Sequence, residues 1–515
     1  TDAVWKEFQT EFGGMNIPRR NLMFTAQHTH SAPSGYTHYA LYNVPTEGFC
    51  PQVLSTLVSG VMESIRQAKS NMRPSRIYLK RGSFSLDIDV SFNRSLEAYN
   101  SNPEVQPKLT IEEQNKAVDR EMRILEFVDD EGPSGILTMF AVHPTNIIWT
   151  NHLISPGNKG YASLFTEEHF QKRGRKDFLA IFAQGNAGDV SPIFTPKWYE
   201  HMIPKDDQVM IEKSKANGKL QYQGAVSFLK NEGIELEDTS IDSELVYFDM
   251  SNVTSDQKHL SPKFKGLDAT TSPATLGVAF MGGAEGAGIG FALKLLCKTL
   301  ITGVKLFEYF ISPLRSSNWR KRMIQKYKAQ APKFIFVETG DKKVLGTSKV
   351  MSLIIPDFAD QSIKYFKKIH KLGGASEHSW TQQILPVQIS MFGGFAFIGI
   401  PAETSTMSGY RIKKALEETL GVRVKEVILC PYANSYCGYI TTPEEYEHQC
   451  YEGGHTVFGK WTQPAFTTKL CEVALEMTKS REQRKLNLEL QPPQFSQNEL
   501  KVRTLEKLSL YPGKV

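Results

Sequence analysis

Apolar positions in this chain fall into short stretches with two alternating periods. Asn21-Leu22-Met23-Phe24-Thr25-Ala26 predicts a buried strand running straight into Gln27-His28-Thr29-His30. After Pro51, a residue suited to a first helical turn, Leu54, Leu57, Val58, Val61, Met62 and Ile65 recur at helical spacing. Strands are expected at 76–80, 122–128, 135–142 and 178–183, and later at 394–400 and 427–429, with a helix over about 405–420 between the last two. The stretch 205–231 is more polar and predicts a surface helix, whereas 232–272 reads as loop. No pattern repeats at a fixed period, which argues against a solenoid or propeller.

Two stretches invite comparison with a membrane span. Residues 379–402 carry no charge, but Val387-Gln388-Ile389-Ser390-Met391 alternates, Gly393-Gly394 breaks the run, and Pro386 and Pro401 punctuate it. Two buried strands fit this pattern better than a spanning helix. The other, Gly286 to Leu314, is interrupted by Lys294, Lys298 and Lys305. At about 100° per residue these lysines share a stripe about 40° wide, with Leu293, Leu296, Leu300, Val304 and Phe307 largely on the other side. Such a helix either packs on the core with a solvated lysine face or meets a membrane surface. No transmembrane span is expected.

Polar, chemistry-bearing residues gather just after the apolar strands: His28 and His30, His143, Gln184 to Ser191, Glu403, and Asn434 to Tyr439. Ligand sites in α/β proteins lie beyond the carboxyl ends of strands. The expected fold class is therefore α/β (mixed α+β): one large domain of buried sheets flanked by helices, with a metal site at the strand ends. The 515 residues are 40% hydrophobic and 22% charged, enough for a sizeable core, and the net charge of +5 implies no nucleic-acid partner. The six cysteines form no CxxC pair, which argues against a zinc knuckle and leaves a disulfide or two open.

In an extended segment, His28 and His30 would face the same side and could share one cation, although two histidines hydrogen-bonded in a loop fit equally well. His143 after a strand and Glu403 at a helix start are unremarkable alone, since a glutamate there favours the helix dipole. Gly185-Asn186-Ala187-Gly188-Asp189-Val190-Ser191-Pro192 combines small residues with a stiffened serine, as either a ligand-approaching loop or a tight turn. No GxSxG elbow is present, so a standard α/β-hydrolase triad is not supported.

Together these segments resemble the neutral ceramidase family. The matching stretches are His28-Thr29-His30-Ser31-Ala32-Pro33-Ser34-Gly35, Asn93-Arg94-Ser95, Ala141-Val142-His143, Leu153-Ile154-Ser155 with Asn158-Lys159-Gly160, Gly188-Asp189-Val190-Ser191-Pro192, Ala402 to Gly409, and Asn434 to Thr442 with Glu444-Glu445-Tyr446. They occur in the family's order and span His28 to about Tyr451. The chain departs from the family at Ala32 and Ser34, where it has glycines, at Ile193, where it has asparagine, and at Gly157, where it has aspartate.

The resemblance implies a zinc-dependent amidase that hydrolyses ceramide to sphingosine and a fatty acid. It places the zinc ligands at His28, His143, Glu403 and Tyr439, and further active-site residues at His30, Arg94, Ser191 and Tyr451. The nucleophile would be a zinc-activated water or Ser191, and His30 would hand a proton to the leaving amine. The resemblance also implies peripheral contact with a membrane surface and a secreted, extracellular or periplasmic location. Residues 1–490 would form the catalytic domain, with strands upstream of Thr1 missing. Residues 491–515 would be a linker or the start of an immunoglobulin-like domain. A hydrolase of another N-acylated lipid or peptide, and a non-catalytic lipid-binding homologue, are the competing readings.

Overall fold

The computed structural model describes residues 1–504 apart from 47, 149, 195–205, 239, 285–290, 345 and 347–377. Nine main strands build two sheets: β1 (Arg76–Ser83), β2 (Glu121–Asp129), β3 (Gly132–Phe140), β4 (Leu179–Gln184), β5 (Ile234–Glu235), β6 (Ile241–Asp249), β7 (Ile384–Phe392), β8 (Phe395–Gly399) and β9 (Glu426–Cys430). The first sheet has the order β4-β3-β2-β1-β5 and the second β9-β8-β7-β6. Most neighbours are antiparallel, but each sheet holds one parallel pair, β3 with β4 and β8 with β9. Parallel neighbours release their chains at the same end, so each sheet sends two loops towards one place.

The sheets stack face to face through Leu79, Leu125 and Met139 of one and Phe395 and Ile428 of the other. Helices α1 (Gly157–Gln171) and α2 (Asp207–Phe228) cover the outer face of the first sheet, burying Ile124, Ile136, Phe140 and Phe182. The outer face of the second is covered by α5 (Thr406–Leu420) and α6 (Thr462–Met477), over Leu385, Val387, Ile398 and Val427. Helices α3 (Phe291–Ile311) and α4 (Ser317–Gln330) pack at the periphery beside a small sheet containing Leu276-Gly277 and Ile335–Glu338. The mixed α/β class holds, and the chain forms a helix–sheet–sheet–helix sandwich.

Several sequence expectations are met. The helix after Pro51 runs over Pro51–Ser70, and the uncharged stretch folds as the hairpin β7–β8, turning at Gly393 and Gly394 with φ of 61° and 81°. Others are corrected. Asn21 to Ala26 is not a strand: Arg19–Asn21 is a 3-10 turn and only Thr25 bridges, to Ala433. The surface helix expected within 205–231 is α2, but its inner face is largely polar rather than apolar. Its Gly218 lies against Asn158 and Tyr161 of α1, so Met210, Ser214, Asn217 and Gln221 are buried. The stretch read as loop contains the nine-residue β6, whose polar Ser243 and Glu244 conceal its buried face.

All six cysteines are free, so the disulfides left open by the sequence are not formed. Among the described residues no helix is long and apolar enough to cross a membrane. Beyond Pro492, the chain packs back onto the body: Phe495 meets His38 edge-on at 5.5 Å, and buried Arg503 donates to the His38 carbonyl.

Candidate metal centre

Two very short ladders hold the loops that leave the sheets. Phe92-Asn93 pairs antiparallel with Val190-Ser191, placing Phe92 opposite Ser191. Glu403-Thr404 pairs parallel with Tyr439-Ile440, placing Glu403 opposite Tyr439. Gly188 joins the two, because its amide donates to the Thr404 carbonyl and a Cβ there would come within 2.9 Å of Thr404 backbone atoms. Asp189 accepts from the amide and hydroxyl of Thr406 at the start of α5 and from Asn93. The loop that the sequence left as either a ligand-approaching loop or a tight turn is the seam between the sheets.

His28, His30 and His143 converge so that one ring nitrogen from each lies within 4.8 Å of the others. The Nε2 atoms of His28 and His30 are 3.1 Å apart. The pairing does not arise from strand alternation, as the sequence suggested. His28 sits at φ 74°, a left-handed conformation costly for a non-glycine residue, and this kink turns its ring back towards His30 and over Tyr432.

His143 is fully buried, and both its amide and Nδ1 lie 3.1 Å from the Val190 carbonyl. A carbonyl only accepts, so Nδ1 carries the proton and, in a neutral ring, Nε2 presents its lone pair. That Nε2 lies 3.0 Å from Glu403 Oε2 without hydrogen-bond alignment, and His28 Nε2 lies 3.4 Å from Oε1. Lone pairs and carboxylate oxygens meeting in a buried space, with a backbone carbonyl fixing the tautomer, are what a divalent cation requires. The residues present therefore fit a metal ion.

The electrostatics agree. Burial lowers the His28 imidazole to about 4, with Glu403 acting in the opposite direction. Loss of hydration and the neighbouring imidazoles push His30 well below its ordinary value. Both rings are neutral, ligand-competent donors near pH 7. Burial opposes ionisation of Glu403, but His28, His143 and the Tyr436 hydroxyl outweigh it and hold the carboxyl well below the usual range.

The other sequence-predicted residues gather around this cluster. Tyr439 lies beside Glu403; burial and the carboxylate raise its phenol well above its ordinary value. Arg94 is buried, donating from Nε to Glu452 (2.8 Å) and from Nη2 to the Gly188 carbonyl (2.8 Å) and Tyr439 hydroxyl (3.2 Å). Tyr451 meets Tyr439 edge-on at 5.6 Å. Ser191 is fully buried, follows the residue that orients His143, and accepts from the Ile193 amide. His30 is the solvent-facing member of the histidine trio.

The sequence reading missed Tyr432 and Tyr436 as partners of Glu403, Glu452 as partner of Arg94, and the work of Asn158 and Lys159. From the first turn of α1, Lys159 donates to the carbonyl of Phe140 at the end of β3 and Asn158 to that of His143 in the loop beyond it. Gly157, a departure from the family pattern, sits at φ 69° with Thr29 only 3.5 Å from where a Cβ would stand. Tyr436 lies within the flagged stretch Asn434 to Tyr439, and the same position after a strand end would have flagged Tyr432; nothing local marks Glu452.

His455 was also missed. It is buried against Phe280 (4.4 Å) and Tyr439 (5.6 Å), with neither ring nitrogen hydrogen-bonded among the described residues. Burial depresses its imidazole to about 4, with Glu403 opposing and Lys333 adding to the effect. A histidine depressed on folding contributes full stability above about pH 6.5, its unfolded value, and loses it as pH falls towards 4. His455 is expected to cost about 2 kcal/mol of stability between pH 7 and pH 5. Urea unfolding across that range should show a flatter pH dependence in His455→Gln; an unchanged slope would contradict the depressed value.

The chain as a whole resembles known proteins in sequence and fold. The family model described as neutral/alkaline non-lysosomal ceramidase, N-terminal, matches residues 1–355 and 349–468. The neutral ceramidase of Pseudomonas aeruginosa is 30% identical over 462 residues, covering 89% of this chain and 59% of its own. That of Mycobacterium tuberculosis is 29% identical, covering 91% of this chain and 65% of its own. Among solved structures, a ceramidase complexed with C2 superposes with a TM-score of 0.72 at 27% identity, covering 95% of this chain and 66% of that one. The chain thus spans roughly three fifths to two thirds of these relatives' length. With a matching family model along most of its length, this chain belongs to the neutral/alkaline non-lysosomal ceramidase family.

Proposed function

We propose that this chain is a zinc-dependent amidase that adds water across the N-acyl bond of ceramide and releases sphingosine and a fatty acid. The observation that carries this reading is the convergence of His28, His30 and His143 on buried Glu403 in a chain of this family. A structurally similar ceramidase complexed with C2 supports a ceramide-type substrate. His28, His143, Glu403 and Tyr439 would hold the zinc, which when bound supplies Lewis-acid polarisation of the amide carbonyl.

The chain's own residues do the rest. Arg94, locked by Glu452, presents its guanidinium beside Tyr439 and lowers the cost of negative charge developing on the carbonyl oxygen. His30, neutral and facing solvent, accepts a proton during attack and returns one to the leaving amine. Ser191 lies against the loop that orients His143 and aligns the scissile amide. Because ceramide resides in bilayers, the protein meets a membrane surface, and we place it outside the cytoplasm.

Zinc content measured together with sphingosine release from ceramide tests the reading. Ser191→Ala should fold and retain metal while losing about 10²–10³-fold in turnover, the usual effect of removing one hydrogen-bonding group at such a centre. Near-parental turnover would reduce Gly188 to Pro192 to a structural seam. A metal-loaded parent that releases no sphingosine would refute the substrate assignment.

A further inference from the structure

Helix α3 presents its polarity in an unusual sense. Its inner face is narrow: Cys297 and Ile301 pack on Val278, while Glu308 is buried and accepts from Lys326 (3.2 Å) and the Tyr327 hydroxyl (2.9 Å) of α4. Turned away from that face, Leu296, Leu300, Leu306, Phe307 and Phe310 are exposed, Phe310 to 80%, and Leu314 in the following turn to 85%. The sequence left open a core-packed helix with a solvated lysine face. The structure instead points a carboxylate inward and a leucine–phenylalanine face outward, although residues 286–290 and the side chain of Leu293 fall outside the described residues.

Cations line one side of the helix, between its inner face and its apolar face. Lys298 and Lys305 extend over the rings of Phe334 (5.3 Å) and Tyr327 (5.1 Å). Exposed Arg315, Arg320, Lys321 and Arg322 follow directly. Among the described residues none of these, nor Lys294, pairs with a carboxylate. A stripe of cations without carboxylate partners on the same helix as an exposed apolar face, with a basic run after it and a chain net charge of only +5, complements an anionic interface with an apolar interior.

We propose that the outer face of α3 docks on an anionic lipid bilayer, with the leucines and phenylalanines at the acyl boundary and the lysines and arginines among the headgroup phosphates. The helix lies close to the candidate centre. Val278 beneath it is two residues from Phe280, which stacks on Tyr451 at 5.0 Å, and Tyr451 abuts Tyr439. Docking there delivers a bilayer-resident amide beside the histidines. The delivery role rests on the lipid-hydrolase reading, whereas bilayer binding does not.

The test is co-sedimentation with vesicles of phosphatidylcholine, with or without phosphatidylserine, together with ceramide hydrolysis in vesicles and in detergent micelles. Leu306→Glu/Phe310→Glu should bind both vesicle types at least about tenfold more weakly and lose vesicle hydrolysis in proportion, while micellar hydrolysis stays within about twofold. Lys294→Glu/Lys298→Glu/Lys305→Glu should lose the preference for phosphatidylserine. These positions are outside the catalytic cluster, so parental micellar turnover or an unchanged circular-dichroism melt confirms folding. The docking proposal is overturned if the parent ignores vesicles, if both variants bind like it, or if the parent is a dimer in solution that the apolar variant dissociates. Vesicle binding by a parent that hydrolyses ceramide in neither medium would refute the substrate reading and leave the docking surface standing.

Discussion

Replacing His143 with alanine is expected to remove the metal and, with it, more than about 100-fold of amidase activity. Loss of a group that merely orients a ligand typically costs about 10- to 100-fold in metal affinity or activity, and His143 is proposed as a ligand itself. Its ring is fully buried, its tautomer is set by the Val190 carbonyl, and its Nε2 stands 3.0 Å from Glu403. The truncation would also remove the Nδ1–H donor to the Val190 carbonyl from a fully buried position, destabilising the fold by about 1–3 kcal/mol. Metal content by atomic emission, turnover and a thermal melt separate the two effects. His28→Ala serves as the parallel variant, since its ring is only partly buried and its removal should spare the fold while emptying the site. Full metal occupancy in both purified variants would sink the assignment.

Arg94→Ala should be the most destabilising single change at the site, at about 3–5 kcal/mol near pH 7. Arg94 and Glu452 are each only 2% exposed and bond at 2.8 Å, so removing the guanidinium leaves a buried carboxylate with only the neutral Ser95 hydroxyl and Cys450 thiol as donors among the described residues. Burial opposes ionisation of Glu452, and Arg94 is the largest influence holding its carboxyl down. Without Arg94 the carboxyl value rises. The deficit relative to the parent should then shrink as pH falls and Glu452 takes up a proton. Arg94→Met/Glu452→Gln should recover most of the stability without recovering activity. A single variant losing under about 1 kcal/mol would contradict the buried pair, and a double variant that regained turnover would confine Arg94 to a structural role.

The residues of the centre were legible because strand ends and metal ligands both leave local traces. His143 follows β3 and Glu403 follows β8 in short apolar runs whose period is plain, and a matching order of motifs joined them to His28 and Tyr439. Less legible were elements whose polarity answers to distant partners. β6 carries buried Ser243 and Glu244, the latter paired with Arg484, and therefore read as loop. α2 is the expected surface helix, but its inner face buries Asn217 and Gln221 and so carries no plain apolar stripe. Glu244 and Asn217 are satisfied by Arg484 and the Val90 carbonyl, far along the chain, which a window of neighbouring residues does not contain.

The sequence by itself determined the class of fold and the strands that precede His143 and Glu403, because period is a local property, whereas the strand expected before His28 is absent. Tertiary structure alone decided that His28 meets His30 through a left-handed kink rather than strand alternation, and that Val190 sets the tautomer of His143. It also decided that Glu452 steadies Arg94 across 358 residues of chain, and that the leucines of α3 face outward while Glu308 faces in. Those outcomes depend on which surfaces the two sheets and their loops bring together, and that is settled by packing rather than by pattern.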